Sequence, residues 1–380
     1  MLSKSTLRTD AAGLPPAREN NPLLDPWVGP AGGVPPFDRV RVSDFKPALE
    51  AAMAENLAEI EAIACNPAPA TFDNTIAALE RSGRRFRGVN AIYSVWSSTM
   101  STADFQAVER DMQPKLAGFL DKISQNEALF ARIAAVYAAR ENLAAVQQRL
   151  CWFYHTNFVR AGAQLDAAAK QRVAQINERL ATLFANFSQN LLADEAGHAL
   201  YLKSEQDLAG LPEPLRAAAR SAAAARGHQD AWAILNTRSS MDPFLTYADR
   251  RDLRERVWRT YYSRGDNADA RDNKKIIAEI LALRGERARL LGYATHAHWR
   301  VADSMAKTPE AAMSLMMQVW PAAVARVHEE VADMQAIADR EHPGIKIAAW
   351  DYRYYAEKVR KAKHDLDMRS EERRVGKECA

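Results

Sequence analysis

RVHEEVAD, residues 326 to 333, holds the one His-Glu pair in the chain, His328-Glu329. On a helix, His-Glu opens the zinc motif H-E-x-x-H. That motif works because residues four apart share a face, so two imidazoles reach one ion while the Glu serves as base. Four residues after His328 stands Ala332, and the second ligand is missing. The reversed order, H-x-x-E-H, fails at Val331, where its Glu would sit. Met313, Met316, Trp320, Val324, Val327, Val331 and Met334 recur around the pair at three- and four-residue steps. They predict a buried stripe, bent at Pro321, with His328 at its edge as a packing residue.

Other candidates are weaker. Cys151 and His155 in RLCWFYHTNF are four apart and can share a helix face, but no third ligand converges on them and they read as core. His296 and His298 in THAHW would share a face on a strand; their surroundings are helical, so they diverge. RSGRRFRG (81–88) and DRRDLRERVWR (249–259) interleave arginines with aromatics, a pattern that can suit nucleic acid. In the second, Asp249, Asp252 and Glu255 alternate with the bases at helical spacing, which predicts a solvated face. There is no G-x-S-x-G, phosphate-binding loop or dinucleotide fingerprint. From the residues alone, no position is assigned as catalytic, cofactor-binding or metal-ligating.

The elements around these candidates read as helices. The chain has 380 residues, 48% of them hydrophobic, and only 16 Gly, which favours a mainly α fold with a sizeable core. Residues 1–45 form a Pro/Gly-rich segment expected to run extended, with Pro15, Pro16, Pro22, Pro26, Pro30, Pro35 and Pro36 barring regular helix. Helical patterning starts with Ser43 as a possible cap and Leu49, Met53, Leu57, Ile60 and Ile63 as its stripe. Later helices restart behind Thr71, Thr102 and Thr308, and a long one carries Val173, Ile176, Leu180, Leu183, Phe184, Phe187 and Leu191. HALYLK (198–203) and AWAILN (231–236) are short, apolar and flanked by turn residues, so a small β element near 198–236 is expected inside an irregular helical lobe.

Bulk properties exclude several classes. A net charge of +3, with acids and bases interleaved, gives little support to a nucleic-acid or anionic-membrane partner. Cys65, Cys151 and Cys379 are odd in number and far apart, which fits a reducing compartment better than a disulfide framework. The start, MLSKSTLRTDAAGLPP, has no apolar signal core, and no stretch reaches the length of a membrane span. A cytoplasmic location is expected.

A set of stretches, taken in order, resembles one family. NPLL, PPFDRV, TFDNTIAALERSG, NFVRAGAQLD, DLAGLP, PFLTYADRRDLRERVWRTYYSRG, DNKKIIAEILALRGERARLLGY, ADSMAKTPE and WDYRYYAEKVRKAKHDLD are similar to the thimet oligopeptidase family of zinc metallopeptidases. The arginine-rich block and the WDYRYYAEKVRKAK block look most like its bacterial branch of peptidyl-dipeptidases (dipeptidyl carboxypeptidases) and oligopeptidase A. The resemblance spans residues 21 to 368. It implies half of a two-lobed, mostly helical fold around a deep channel that admits short peptides. It also implies one zinc ion, held in the full-length protein by the two His of H-E-x-x-H and a downstream Glu.

Nowhere does this chain contain H-E-x-x-H, which in the family lies beyond the block resembling WDYRYYAEKVRKAKHDLD. Residues 46–368 are therefore expected to be an incomplete N-terminal lobe, inactive alone and without its own zinc. RSEERRVGKECA (369–380) is unlike the family's continuation and reads as a non-native charged tail. The alternative is a non-catalytic helical binding or scaffold protein derived from the same lobe.

Overall fold

The computed structural model describes residues 20–30 and 33–366, so the two chain ends and the expected tail at 369–380 lie outside the described residues. The fold is mainly α, with a single two-stranded antiparallel sheet among the described residues. Contacts divide the chain into two units, one of residues up to 185 plus 290–292, the other of residues 186–289 and 293 onward.

The first unit is built from α1 (Val42–Ala64), α2 (Ala77–Arg81), α3 (Arg84–Thr99), α4 (Ala103–Ser124), α5 (Glu127–Ala138), α6 (Ala145–Ala161) and the first part of α7 (Ala167–Gly197). In α1, Phe45, Ala48, Leu49, Ala52 and Met53 fall on one face and are buried, because three- and four-residue steps return to the same side of a helix. Phe45 meets Phe105 of α4 edge-on at 5.3 Å and Trp96 of α3 at the same separation, an aromatic centre for the unit. A second cluster gathers Ile60, Ile63, Ile76, Leu129, Ile133 and Phe158.

Helix α1 starts differently from expectation. Ser43 lies inside it, and Asp44 supplies the cap: its carboxylate accepts the Arg41 N–H at 2.8 Å, holding down a donor that the helix cannot satisfy. The Asn21 side chain donates to the Asp44 carbonyl at 2.8 Å and accepts from the Leu23 N–H, so the Pro-rich stretch is tied to α1 and Leu23 is buried. Gly33, at φ +115°, lets the chain pass the Trp27 carbonyl oxygen, which a Cβ would meet at 2.6 Å. Thr71 and Thr102 cap as expected, accepting from Asn74 and Phe105 N–H. The break at Pro67 and Pro69 is held by Arg132, whose guanidinium donates to the Asn66 and Ala68 carbonyls and to Asn74 Oδ1.

The second unit contains β1 (Ala199–Leu202), α8 (Glu213–Ala224), β2 (Trp232–Leu235), α9 (Arg238–Tyr247), α10 (Arg251–Tyr262), α11 (Lys274–Leu290), α12 (His296–Val301), α13 (Pro309–Glu341) and α14 (Tyr352–His364). The two expected strands pair, Ala199 opposite Leu235 and Leu202 opposite Trp232. Helix α8 lies on β2 and buries Ala219 and Ala223, the small side chains that allow close approach. Asp194, fully buried, accepts the Gly265 N–H at 2.8 Å and Asn267 Nδ2 at 3.0 Å, fixing the loop between α10 and α11.

A buried ion cluster joins α10 to the segment before α14. Asp351 has no exposed surface; it accepts from Arg254 at 2.8 Å, from Arg251 at 2.8 Å and from the Ala348 N–H at 3.1 Å. Arg254 also donates to the Ala248 carbonyl at 2.7 Å and lies 4.1 Å from the centre of the Tyr354 ring. The expected solvated face on 249–259 is thus corrected at Arg254, which is buried. Its acidic partner lies 97 residues further along the chain, beyond the reach of a local charge pattern.

The expected stripe on α13 also needs correction. Thr308 caps the helix by accepting the Ala311 N–H at 3.2 Å, and Pro309 takes its first position. Only the C-terminal third of the stripe is covered: Met334 and Ala338 are buried against Tyr354 and Tyr355 of α14, with Val331 and Ile337 beside them. Met313, Met316, Met317, Val319, Trp320 and Val327 are exposed.

The cluster gives the first prediction. Asp351→Ala leaves Arg254 buried without its partner and should lower unfolding stability by about 3–5 kcal/mol, read by urea denaturation. Burial pushes the Asp351 carboxyl up, but hydrogen bonds from Arg251, Arg254 and Ala348 outweigh it and hold the group below its ordinary value. A carboxyl depressed in the folded state contributes stability fully above its unfolded value, about 3.9, and loses it as pH falls through the folded value. The gap between wild type and Asp351→Asn should therefore narrow below about pH 4. A pH-independent gap would show that the ionised carboxylate is not what holds α10.

Candidate functional site

His328 is exposed on α13, and Ala332 stands where a second imidazole would be needed. The neighbouring carboxylates are engaged on the helix surface: Arg326 donates to Glu329 at 2.9 Å and to Glu330 at 3.3 Å. These exposed pairs at helical spacing support the helix weakly and leave His328 with no second imidazole four residues on.

Cys151 and His155 sit in the first unit's second cluster. Cys151 is buried in α6 among aliphatic side chains, and burial raises its thiol. The His155 ring stacks on Tyr137, with centres 4.1 Å apart and planes 7° off parallel, and faces Phe130 at 5.5 Å. Burial, with Arg140 nearby, lowers its pKa. A thiol held protonated and a ring spent on stacking suit a core and not a cation.

His296 and His298 lie on α12 and point apart, as two positions on a helix must. His298 Nδ1 is 2.8 Å from the Thr295 hydroxyl and its Nε2 is 3.6 Å from Glu310. His296 packs on Trp299 at 5.4 Å, and burial plus Arg284, Arg287 and Arg300 depress its pKa. Cationic surroundings disfavour a metal there. Among the described residues, no three His, Cys, Asp or Glu side chains converge as a ligand set. The donors present do not fit a zinc site of the implied kind.

The arginine blocks are structural. Arg85 pairs with Glu55 at 2.8 Å, and Arg87 donates to the Ser82 carbonyl. Arg250 bridges Asp252 at 2.7 Å and Asp207 at 3.0 Å, while Arg259 pairs with Glu255 at 2.8 Å. These guanidinium groups are answered by protein carboxylates and carbonyls and so are not held out for phosphates.

A polar cleft of about 320 Å³ in the second unit is lined by Gly210, Thr246, Tyr247, Asp249, Tyr354, Glu357, Lys358 and Lys361. Its chemistry is quenched internally. Lys358 donates to Glu341 at 2.5 Å and stands 4.4 Å over the Tyr354 ring. Burial disfavours its charge, yet Glu341 and Tyr354 outweigh that and raise its pKa. Tyr354 in turn donates to Asp249 at 2.8 Å. A protonated lysine and a phenol raised by burial offer neither nucleophile nor base at neutral pH.

What the second unit does present is apolar surface. The bare part of α13 carries Leu315 at 64% and Trp320 at 62% exposure, far above what a packed stripe shows. Sequence reading located Trp320 but not Leu315 on the stripe and assigned the stripe to a core; periodicity reports that a face is apolar, not what covers it. No helix among the described residues is long and apolar enough to cross a membrane.

Residues 244–376 match the model of peptidase family M3, a segment that begins in α9 and takes in α10 to α14. The chain is 36% identical over 335 residues to a dipeptidyl carboxypeptidase of Escherichia coli, covering 88% of this chain and 49% of that one. It is 30% identical over 351 residues to oligopeptidase A of the same organism, covering 89% and 50%. A probable cytosolic oligopeptidase A of Arabidopsis thaliana is 26% identical over 361 residues, covering 92% and 50%. The chain spans about half the length of the curated relatives it matches.

The cysteine placements are checked by thiol labelling. Cys65 is exposed, its thiol raised by a hydrogen bond to Glu61, and should be modified slowly but completely in the folded protein at pH 8. Cys151 should react only as the protein unfolds, with the modified peptides read by mass spectrometry. Equal labelling of both in the folded state would contradict the burial of Cys151.

Proposed function

We propose, from this kinship with family M3 peptidases, that the chain is the N-terminal, non-catalytic half of a zinc-dependent oligopeptidase of the dipeptide-releasing kind. The carrying observation is that the similarity covers about nine-tenths of this chain but half of each relative. The greater identity to dipeptidyl carboxypeptidases, 36% against 30% for oligopeptidase A, favours release of dipeptides from short peptides. The cytoplasm is the proposed compartment.

In this reading the helices shape and line the path of the peptide, while metal binding and proton transfer belong to residues elsewhere. The donor chemistry supports that division. Its histidines are stacked, hydrogen-bonded to neighbours, or without a partner at helical spacing, and H-E-x-x-H is missing from all 380 residues. The zinc ion of the whole enzyme would polarise the attacking water, and nothing in this chain takes part in that step.

The test is direct. The purified chain, loaded with zinc and dialysed, should retain no stoichiometric metal by elemental analysis and should release no dipeptide from short blocked peptides. One tightly held zinc per chain, with peptide hydrolysis abolished by a chelator, would overturn the reading.

A further inference from the structure

The apolar stripe of α13 is one continuous feature covered over only part of its length. At 100° per residue, Met313, Met316, Met317, Val319, Trp320, Val324, Val327 and Leu315 fall within an arc of about 200°, with Ser314, Gln318 and Ala325 opposite. Val331, Met334, Ile337 and Ala338 continue the same arc and are packed by α14. Over the first two-thirds of the helix the identical face is bare except at Val324, which is half-buried. A helix in water gains little from an uncovered apolar arc, and exposed patches of this kind mark interaction surfaces.

We infer that the bare arc of α13, centred on Met316 and Trp320, is the seat for the half of an M3-type peptidase that this chain does not contain. The inference rests on the functional reading above. Three observations select that occupant. The relatives are about twice as long as the region they share with this chain, so an equal length of polypeptide has to pack somewhere. The arc lies inside the segment matched by the family model, 244–376, and so belongs to the shared portion. Residues 309–327 contain a single basic side chain, Arg326, and it is paired with Glu329 and Glu330, which disfavours an anionic lipid surface as the occupant. The face also has the composition of a docking site: a tryptophan beside methionines whose unbranched thioethers adapt to a partner.

The probe is the half of Escherichia coli dipeptidyl carboxypeptidase outside the region this chain matches, purified with an affinity tag. Light scattering should find this chain alone monomeric, and mixing should give a one-to-one complex. Trp320→Asp and Met316→Asp should weaken it at least about 30-fold, the loss of a hot-spot contact. Gln318→Asp, on the polar side, should leave it unchanged. Because both apolar residues are exposed, their variants should unfold at the same denaturant midpoint as wild type.

Failure to bind the probe, or binding equally tight in Trp320→Asp, would overturn the docking inference. So would concentration-dependent dimers of this chain that Trp320→Asp abolishes, because a second copy would then occupy the face. A complex that needs Trp320 but cleaves no peptide would leave the docking inference standing and overturn the functional reading.

Discussion

The arrangement of the second unit's later helices depends on one buried carboxylate. Asp351 gathers Arg254, Arg251 and the Ala348 N–H, and Arg254 reaches back to the Ala248 carbonyl at the end of α9. A buried ion pair repays its desolvation only when its remaining hydrogen-bonding capacity is met. Here both carboxylate oxygens have donors and both terminal nitrogens of Arg254 have acceptors, its Nε alone being buried without one, while the Tyr354 ring lies against the guanidinium. The cluster therefore sets where α14 begins. It also sets which ring pair, Tyr354 and Tyr355, is delivered to α13.

That placement divides α13. Had α14 been longer, or started a few turns away, it could have covered the face at Met316 and Trp320; as built, it reaches Val331 to Ala338 and stops. A covered end and a bare end on one stripe have different energetic meaning. The covered end contributes to folding by removing apolar surface from water, whereas the bare end holds that same contribution for association. The polar cleft near Tyr354 shows the opposite condition. Lys358 there already has a carboxylate and a ring, so little is left for a ligand to gain from it.

Much of the fold was legible locally. Caps at Thr71, Thr102 and Thr308 announce themselves because a hydroxyl before an apolar repeat has a donor to satisfy. The pairing of 199–202 with 232–235 followed from two short apolar runs between turn residues. What escaped was set by distant partners. Arg254 carried the same helical charge spacing as its solvated neighbours, and nothing near it in sequence pointed to Asp351. Ser43 and Asp44 are both capping residues one apart, and the choice fell to Asp44, which reaches the Arg41 N–H. The α13 stripe was correct as a pattern and wrong as a core, because coverage is a property of neighbours.

The His-Glu pair shows why resemblance and chemistry separate in this chain. Resemblance is spread along the chain: the family M3 model matches residues 244–376, and the similarity to a dipeptidyl carboxypeptidase runs over 335 residues. A zinc site is concentrated: it needs two imidazoles on one face, and one alanine at position 332 is enough to remove that geometry. Similarity to dipeptidyl carboxypeptidases can therefore run along nine-tenths of this chain while, among the described residues, no histidine joins a set of side chains able to hold a metal. Under the proposed reading, what this chain contributes is surface: a face that shapes the path of the peptide and seats another part of the fold. Those tasks fall to faces such as Met316 and Trp320, not to His328.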